Sequence, residues 1–344
     1  MPISPASDRA FCREMLPKVS RTFALCIRFL PPGVGYAVLV AYLLCRIADT
    51  IEDSVGLSPA EKDRLLADFR RCLEEGGPES GALAAAFAGA RQDDERLAAR
   101  ADVVLREYRR LPPAQRDAIR PWVQEMCSGM AEFARRGSGA PGQVEALVSV
   151  EDLDRYCYYV AGTVGHLLTD LFWLHHGHGS ERRHERLKSL ATSFGLGLQL
   201  TNIVKDLADD RRRGWSFVPR QLTRQAGIDP EQLQDGAHRD ASRRVMELLI
   251  DKANAHLRDA LDYCIELPRS QYRIRLFCLT SLYFAVRTLR LARHDPRLLE
   301  PSHKVKISRA QVYRTVLVTH LVAPVDGLVR AYFRHLQGPT EATA

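Results

Sequence analysis

The sequence has no C-x-x-C pair, no run of five or more basic residues, no sustained alternation of apolar and polar residues, and no repeat at a fixed period. Each absence closes a class. Without paired spacing, the eight cysteines (Cys12, Cys26, Cys45, Cys72, Cys127, Cys157, Cys264 and Cys278), mostly set in apolar stretches, read as reduced core residues of a cytosolic protein. Without a basic tail, a nucleic-acid partner is not expected. The formal net charge of +7 then reads as a surface suited to a phosphorylated small molecule or an acidic membrane face. The N-terminal MPISPASDRAF carries no apolar signal core, and the longest apolar run, Val34 to Cys45, is too short to span a bilayer. The closing HLQGPTEATA is polar, so no tail anchor is expected. These readings place the protein in the cytoplasm, with peripheral membrane contact allowed. There is also no G-x-G-x-x-G following a strand, so any nicotinamide site would not be of the Rossmann kind.

What is present is helical periodicity, with 46% hydrophobic residues and 26% charged. The pattern predicts helices over 8–17, 21–29, 33–53, 59–75, 81–89, 94–109, 113–135, 151–176, 182–211, 220–225, 230–266, 270–293 and 307–336. Breakers fall between them, among them Pro31-Pro32, Pro112-Pro113, Gly137–Gly142, Gly177–Gly179 and Pro296. The expected fold is all-α, a single helical domain over 1–344 with its core at about 8–336.

Two of these helices combine an apolar body with a polar stripe. Val34 to Asp53 is apolar nearly all round at its start, yet carries Tyr42, Arg46, Asp49 and Asp53 at steps of four, three and four. Those steps place the four on one helical face. Burying two carboxylates together is costly unless something neutralises them, and Arg46 offsets one charge at most. Phe194 to Asp210 repeats the device with Gln199, Asn202, Asp206 and Asp210, flanked by Lys205 and Asp209. An exposed acidic helix face explains either stripe alone, but not two beside apolar helix with matched polar neighbours. Donors that are all oxygen favour Mg²⁺ or Mn²⁺ over zinc, and Mg²⁺ usually completes its shell with water and substrate phosphate. The pair of stripes therefore predicts a shared cavity for a metal-bridged diphosphate. A third segment, Arg155 to Gly165, sets Ala161 and Gly165 one turn apart for close helix approach. Its Tyr156 is placed to orient a proton or to face a cation with its ring. His166 reads as a core residue, and His175, His176 and His178 as a solvated helix end rather than a metal site.

At these residues the chain resembles the squalene and phytoene synthase family, from about Ser20 to Phe333. The matching motifs are S-R-T-F (Ser20, Arg21, Thr22, Phe23), Y-L-L-C-R-I-A-D-T-I-E-D (Tyr42 to Asp53), Y-C-Y-Y-V-A-G-T-V-G (Tyr156 to Gly165) and Q-L-T-N-I-V-K-D-L-A-D-D (Gln199 to Asp210). The resemblance implies one antiparallel helical bundle around a long apolar cavity. It assigns Mg²⁺ to Asp49, Asp53, Asp206 and Asp210, with Asn202 in support. Substrate diphosphate binding would fall to Ser20, Arg21, Phe23, Tyr42, Arg46, Gln199 and Lys205. Tyr156 matches the tyrosine that handles the proton lost in the first half-reaction. The implied activity joins two farnesyl diphosphates, or geranylgeranyl diphosphates, head to head through a cyclopropyl diphosphate.

One branch of the family then reduces that intermediate with NADPH to squalene. Here V-K-I-S-R (Val305 to Arg309), followed by a long helix, resembles the V-K-I-R-K element of that branch, which points Lys306 and Arg309 at the dinucleotide. Ser308 stands where arginine is common, and Trp215 departs similarly after the second acidic motif. The competing expectations are a phytoene or dehydrosqualene synthase without NADPH, an enzyme that stops at the cyclopropyl diphosphate, and a non-catalytic prenyl-diphosphate-binding protein.

Overall fold

A computed structural model describes residues 5–77, 80–136, 144–176 and 180–338; the breaks expected at Gly137–Gly142 and Gly177–Gly179 lie outside them. The described chain is all-α, with sixteen α-helices and one two-residue parallel pairing, β1 (Glu145–Ala146) with β2 (Trp215–Ser216). Its contacts divide into two compact units: Met1–Gly139 with Thr163–His184, and Ala140–Gly162 with Glu185–Ala344.

The first unit is organised on α3 (Pro32–Asp53). Pro32 starts the helix at a position where its missing N–H costs nothing. Around α3 pack α1 (Pro5–Val19), α6 (Asp93–Ala99), α7 (Ala101–Arg109), α8 (Pro113–Arg136) and α10 (Thr163–His176). By length and composition α3 could cross a membrane, but 72% of its most apolar window is buried, as in the core helix of a soluble protein. α1 is clamped to α7 through the buried Asp8, which accepts hydrogen bonds from Arg106 Nε (3.0 Å) and Arg110 Nη1 (2.8 Å). The two guanidiniums hold Asp8 below the usual carboxylate range, outweighing the burial that would raise it. All eight cysteines are buried and free, as expected.

The second unit is organised on α14 (Tyr272–His294), buried along almost its whole length. It packs on α13 (Arg239–Glu266), α15 (Arg309–Val322) and α16 (Asp326–Gln337). Arg275 is fully buried there. It donates to the carbonyls of Leu267 (2.8 Å) and Ala323 (3.1 Å) and to Asp326 Oδ1 (2.6 Å), and so ties the α15–α16 elbow to α14. A buried charge is tolerated when paired and hydrogen-bonded in this way.

Four expected helices differ from the pattern. The helix expected over 94–109 bends at Arg100, and the one expected over 230–266 begins as 3₁₀ turns before α13. That over 307–336 breaks between α15 and α16 because Pro324 has no N–H to continue the ladder. That over 151–176 is interrupted between α9 (Val150–Cys157) and α10 by a π-helical segment, Tyr158–Gly162. Such segments frequently mark functional sites.

Candidate active site

In the first unit the polar stripe runs along the second half of α3, which apart from Glu52 is otherwise buried. Leu43, Leu44, Cys45, Ile47, Ala48 and Ile51 are buried, while Tyr42, Arg46, Asp49 and Asp53 are not. The motif Ser20–Phe23 is brought to its head. Ser20 caps α2 (Arg21–Ile27), its Oγ accepting from Phe23 N at 3.2 Å. Phe23 stacks on Tyr42 with ring centres 5.6 Å apart. Burial pushes the Tyr42 hydroxyl up to about 12, a rise that its hydrogen bond with the Ser20 side chain partly offsets. Arg21 starts α2, and its side chain lies outside what the structure describes. Ser20, Phe23, Tyr42, Arg46 and Asp49 thus form one continuous polar and aromatic strip, as the motifs predict.

Electrostatics marks Asp49 within that strip. Desolvation, with Asp53 nearby, pushes its carboxyl up to about 7, and Arg46 only partly opposes the rise. Arg46 Nη1 lies 3.8 Å from Asp49 Oδ2, while its Nη2 donates to Asp94 Oδ2 at 3.1 Å. Asp94 was missed by sequence reading; the only signal was an acidic first turn, Asp93-Asp94-Glu95, on a short helix. Burial works against the Arg46 charge, but Asp49 and the other acids more than offset it and raise its affinity for its proton. The carboxylate oxygens of the strip suit a hard divalent metal.

The second unit repeats this on α11 (Glu181–Arg212). Asn202 Nδ2 donates to Gln199 Oε1 at 3.5 Å. Asp206 pairs with Lys205 and with Lys304, whose Nζ lies 2.6 Å from Asp206 Oδ1 and also pairs with Asp209. Asp210, almost fully buried, is 3.6 Å from Arg213. Among the described residues, no group of three or more His, Cys, Asp or Glu side chains is drawn together as a preformed metal cage. The donor chemistry nevertheless fits a cation. The Lys304 ammonium already sits between two of these carboxylates, where a positive ion is electrostatically required.

Tyr156 is buried on the last turn of α9 and stacks on Phe217, ring centres 4.6 Å apart; Phe217 in turn stacks on Trp215 at 6.0 Å. Trp215, the departure noted in the sequence, is therefore a member of an aromatic column. The π segment after Tyr156 lies closely against α11. A Cβ on Gly195 of α11 would lie 2.2 Å from the Ala161 carbonyl oxygen. Ala161, expected as a small residue for close helix approach, meets α11 at Gly195, and a Cβ on Gly162 would lie 3.5 Å from Leu196 and Thr192 of α11.

Lys306 lines a cleft of about 500 Å³ in the second unit, together with Arg287, Arg290, His294, His303 and Lys304. Arg309 is not among its lining residues. Ser308, whose departure suggested a lost cation, is the N-cap of α15: its Oγ accepts from Gln311 N (3.2 Å) and its N–H donates to Gln311 Oε1 (2.7 Å). His166, half-buried, stacks on Trp122 at 4.6 Å, and His178 lies outside the described residues.

Comparison with known proteins places these features in one family. A model of squalene/phytoene synthase matches residues 16–311. The squalene synthase of Schizosaccharomyces pombe is 31% identical over 94% of this chain and 68% of its own length. Squalene synthase ERG9 of Candida albicans is 31% identical over 95% of this chain and 70% of its own. Among solved structures, the complex of TcSQS with the ligand BPH1237 superposes with a TM-score of 0.79 at 27% identity, covering 98% of this chain and 93% of that one. A dehydrosqualene synthase (TM-score 0.63, 20% identity, 95% and 96% covered) shares the fold. On its motifs, its all-helical architecture and these likenesses, the chain belongs to the squalene/phytoene synthase family.

Proposed function

We propose that the protein condenses two farnesyl diphosphates head to head, through a cyclopropyl diphosphate, and reduces that intermediate to squalene with NADPH. The observation that carries the ionisation step is the strip Tyr42–Arg46–Asp49–Asp53 along the largely buried second half of α3, with Ser20 and Phe23 from the start of α2 at its head. Mg²⁺, when bound by Asp49 and Asp53 and by Asp206 and Asp210 with Asn202, would neutralise the departing diphosphate.

The chain's own groups complete the chemistry. Arg46, held by Asp94, presents a fixed positive charge where the diphosphate charge develops. Lys205 does so on α11. The Phe23 and Tyr42 rings supply an apolar, π-rich wall that excludes water from an allylic cation. Attack by the second double bond on C1 of that cation must shed one proton to close the cyclopropane ring. Tyr156, in its aromatic column, is the group proposed to handle that proton.

For the reduction, NADPH supplies a hydride, and the cleft lined by Lys304, Lys306, Arg287, Arg290 and His294 supplies cationic donors for phosphates. Its volume of about 500 Å³ is in the range of small-molecule sites. Pure protein incubated with farnesyl diphosphate and Mg²⁺ should give squalene only when NADPH is added. Lys306→Ala with Arg309→Ala should leave the first half-reaction intact while the cyclopropyl diphosphate accumulates. Identical products with and without NADPH would move the protein to the phytoene or dehydrosqualene branch. No turnover at all would leave it a prenyl-diphosphate-binding protein.

A further inference from the structure

We propose that the outer face of α15 and α16 seats the protein on an anionic lipid surface. The face is an inversion of the usual surface helix, which buries apolar residues and exposes polar ones. On α15 the inward positions include Thr315 and Thr319, both fully buried, while Tyr313, Leu317 and Leu321 are 73%, 63% and 68% exposed. The buried threonines are satisfied internally. Thr315 Oγ1 accepts from Arg287 Nε at 3.1 Å, and Thr319 Oγ1 donates to the Thr315 carbonyl at 2.7 Å. Steps of four from Tyr313 to Leu317 to Leu321 form one stripe. The exposed Val325 and Leu328 extend it across the elbow into α16. Among the described residues, five of the nine exposed large hydrophobic side chains lie in this one segment, which makes it a patch rather than scatter.

The charge around the stripe selects the occupant. From Pro301 to Gly338 the chain carries six lysines and arginines against a single acid, Asp326, which is engaged by Arg269 and the buried Arg275. Lys304 and Arg330 pair with acids outside the segment, so the charge beside the stripe comes from the exposed Arg309, Arg314 and Arg334. At helical spacing, the exposed Arg309 and Arg314 fall on either side of the Tyr313–Leu321 stripe. An apolar stripe edged by arginines and headed by a tyrosine matches the boundary between acyl chains and anionic headgroups. A second copy is a poorer match, because an isologous contact would set cationic rims against one another. Arg275 fixes the elbow, so the stripe is presented on a rigid support.

The test is co-sedimentation of the full chain with phosphatidylcholine vesicles with and without phosphatidylglycerol, at low and high salt. Wild-type protein should pellet with the anionic vesicles, less so at high salt, and far less with neutral ones. Leu317→Ser with Leu321→Ser should lower the partition coefficient roughly tenfold or more, since each loses the greater part of a leucine's transfer energy. Arg309→Glu with Arg314→Glu should abolish the preference for anionic lipid. Leu248→Ser, on an exposed leucine of α13, should pellet like wild type. All variants change exposed residues, and unchanged thermal melts confirm that each is folded. No binding to anionic vesicles, or equal binding by the leucine variant and wild type, would overturn the proposal. So would a concentration-dependent dimer, lost in the leucine variant, that accounts for the stripe without lipid.

Discussion

Lys304 Nζ lies 2.6 Å from Asp206 Oδ1, so a lysine just before α15 neutralises the acidic stripe of α11. The same side chain lines the cationic cleft. Burial would lower the affinity of Lys304 for its proton, but the hydrogen bonds it donates to Asp206 and Asp209 more than offset this and raise it. The ammonium therefore occupies part of the field that a divalent cation would need. Removing it with Lys304→Met should tighten Mg²⁺ binding roughly fivefold, about 1 kcal/mol for partly exposed ion pairs. In chelator the same variant should melt about 2 °C lower, because the carboxylates are left facing one another. Calorimetric Mg²⁺ titration reads the first effect without any turnover. Weaker Mg²⁺ binding in the variant would mean that Lys304 organises the acids rather than competing for them.

Asp49 gives a pH signature. Its carboxyl is pushed up to about 7 in the folded protein by desolvation, from an ordinary value of 3.8. Between those two values the folded state holds a proton that the unfolded chain has released. Stability of the metal-free protein must therefore fall, on account of this group, as pH rises from about 4 to about 7, and level off above. Asp49→Asn removes the dependence. In chelator the variant should be more stable relative to wild type near pH 8 than near pH 4.5, and melting curves across that range check it. A difference between variant and wild type that does not change with pH would mean that Asp49 is solvated like an ordinary carboxylate.

The reach of the sequence can be judged residue by residue. The strip on α3 was legible because steps of four, three and four in an apolar run admit one geometry. The cap at Ser308 was also legible in S-R-A-Q, but a family expectation of arginine at that position obscured a local capping box. The Arg46–Asp94 contact was not legible, because it joins residues 48 apart and local periodicity is silent about such pairs. The same holds for Lys304 with Asp209. The reading of 307–336 as one helix passed over Pro324, and so missed that the two pieces share an outward apolar stripe. The π segment left no trace in composition; it lies where Gly195 approaches the Ala161 carbonyl, a contact between residues 34 apart that local pattern does not show.

That approach is itself testable. At Gly195 an added methyl would meet the backbone at Ala161 and Gly162, which cannot yield as a side-chain tip can. Gly195→Ala should cost about 3 kcal/mol of stability or more, at the upper end for overpacking. Gly327→Ala in α16, where a Cβ would meet nothing within 4 Å, should be neutral or slightly stabilising. Chemical denaturation of the two variants separates a specific steric contact from general glycine effects. A Gly195→Ala variant as stable as wild type would show that the π segment and α11 can part without penalty.

Tyr156 distinguishes proton handling from packing. Its ring is buried against Phe217, and Tyr156→Phe keeps that stack while removing one oxygen. If the hydroxyl handles the proton lost on cyclopropane closure, the variant should bind farnesyl diphosphate and Mg²⁺ with unchanged affinity. Formation of the cyclopropyl diphosphate should fall by roughly a hundredfold, the usual scale of a lost general acid–base group. Diphosphate release need not fall as far, because ionisation precedes proton loss. The coupled C30 cation, unable to lose its proton to Tyr156, would be captured by water, giving a C30 alcohol that keeps one diphosphate. The ratio of released diphosphate to cyclopropyl diphosphate is therefore the decisive readout. Packing predicts that ratio unchanged, with any loss of activity tracking a lower melting temperature. Proton handling predicts that the ratio rises at an unchanged melting temperature.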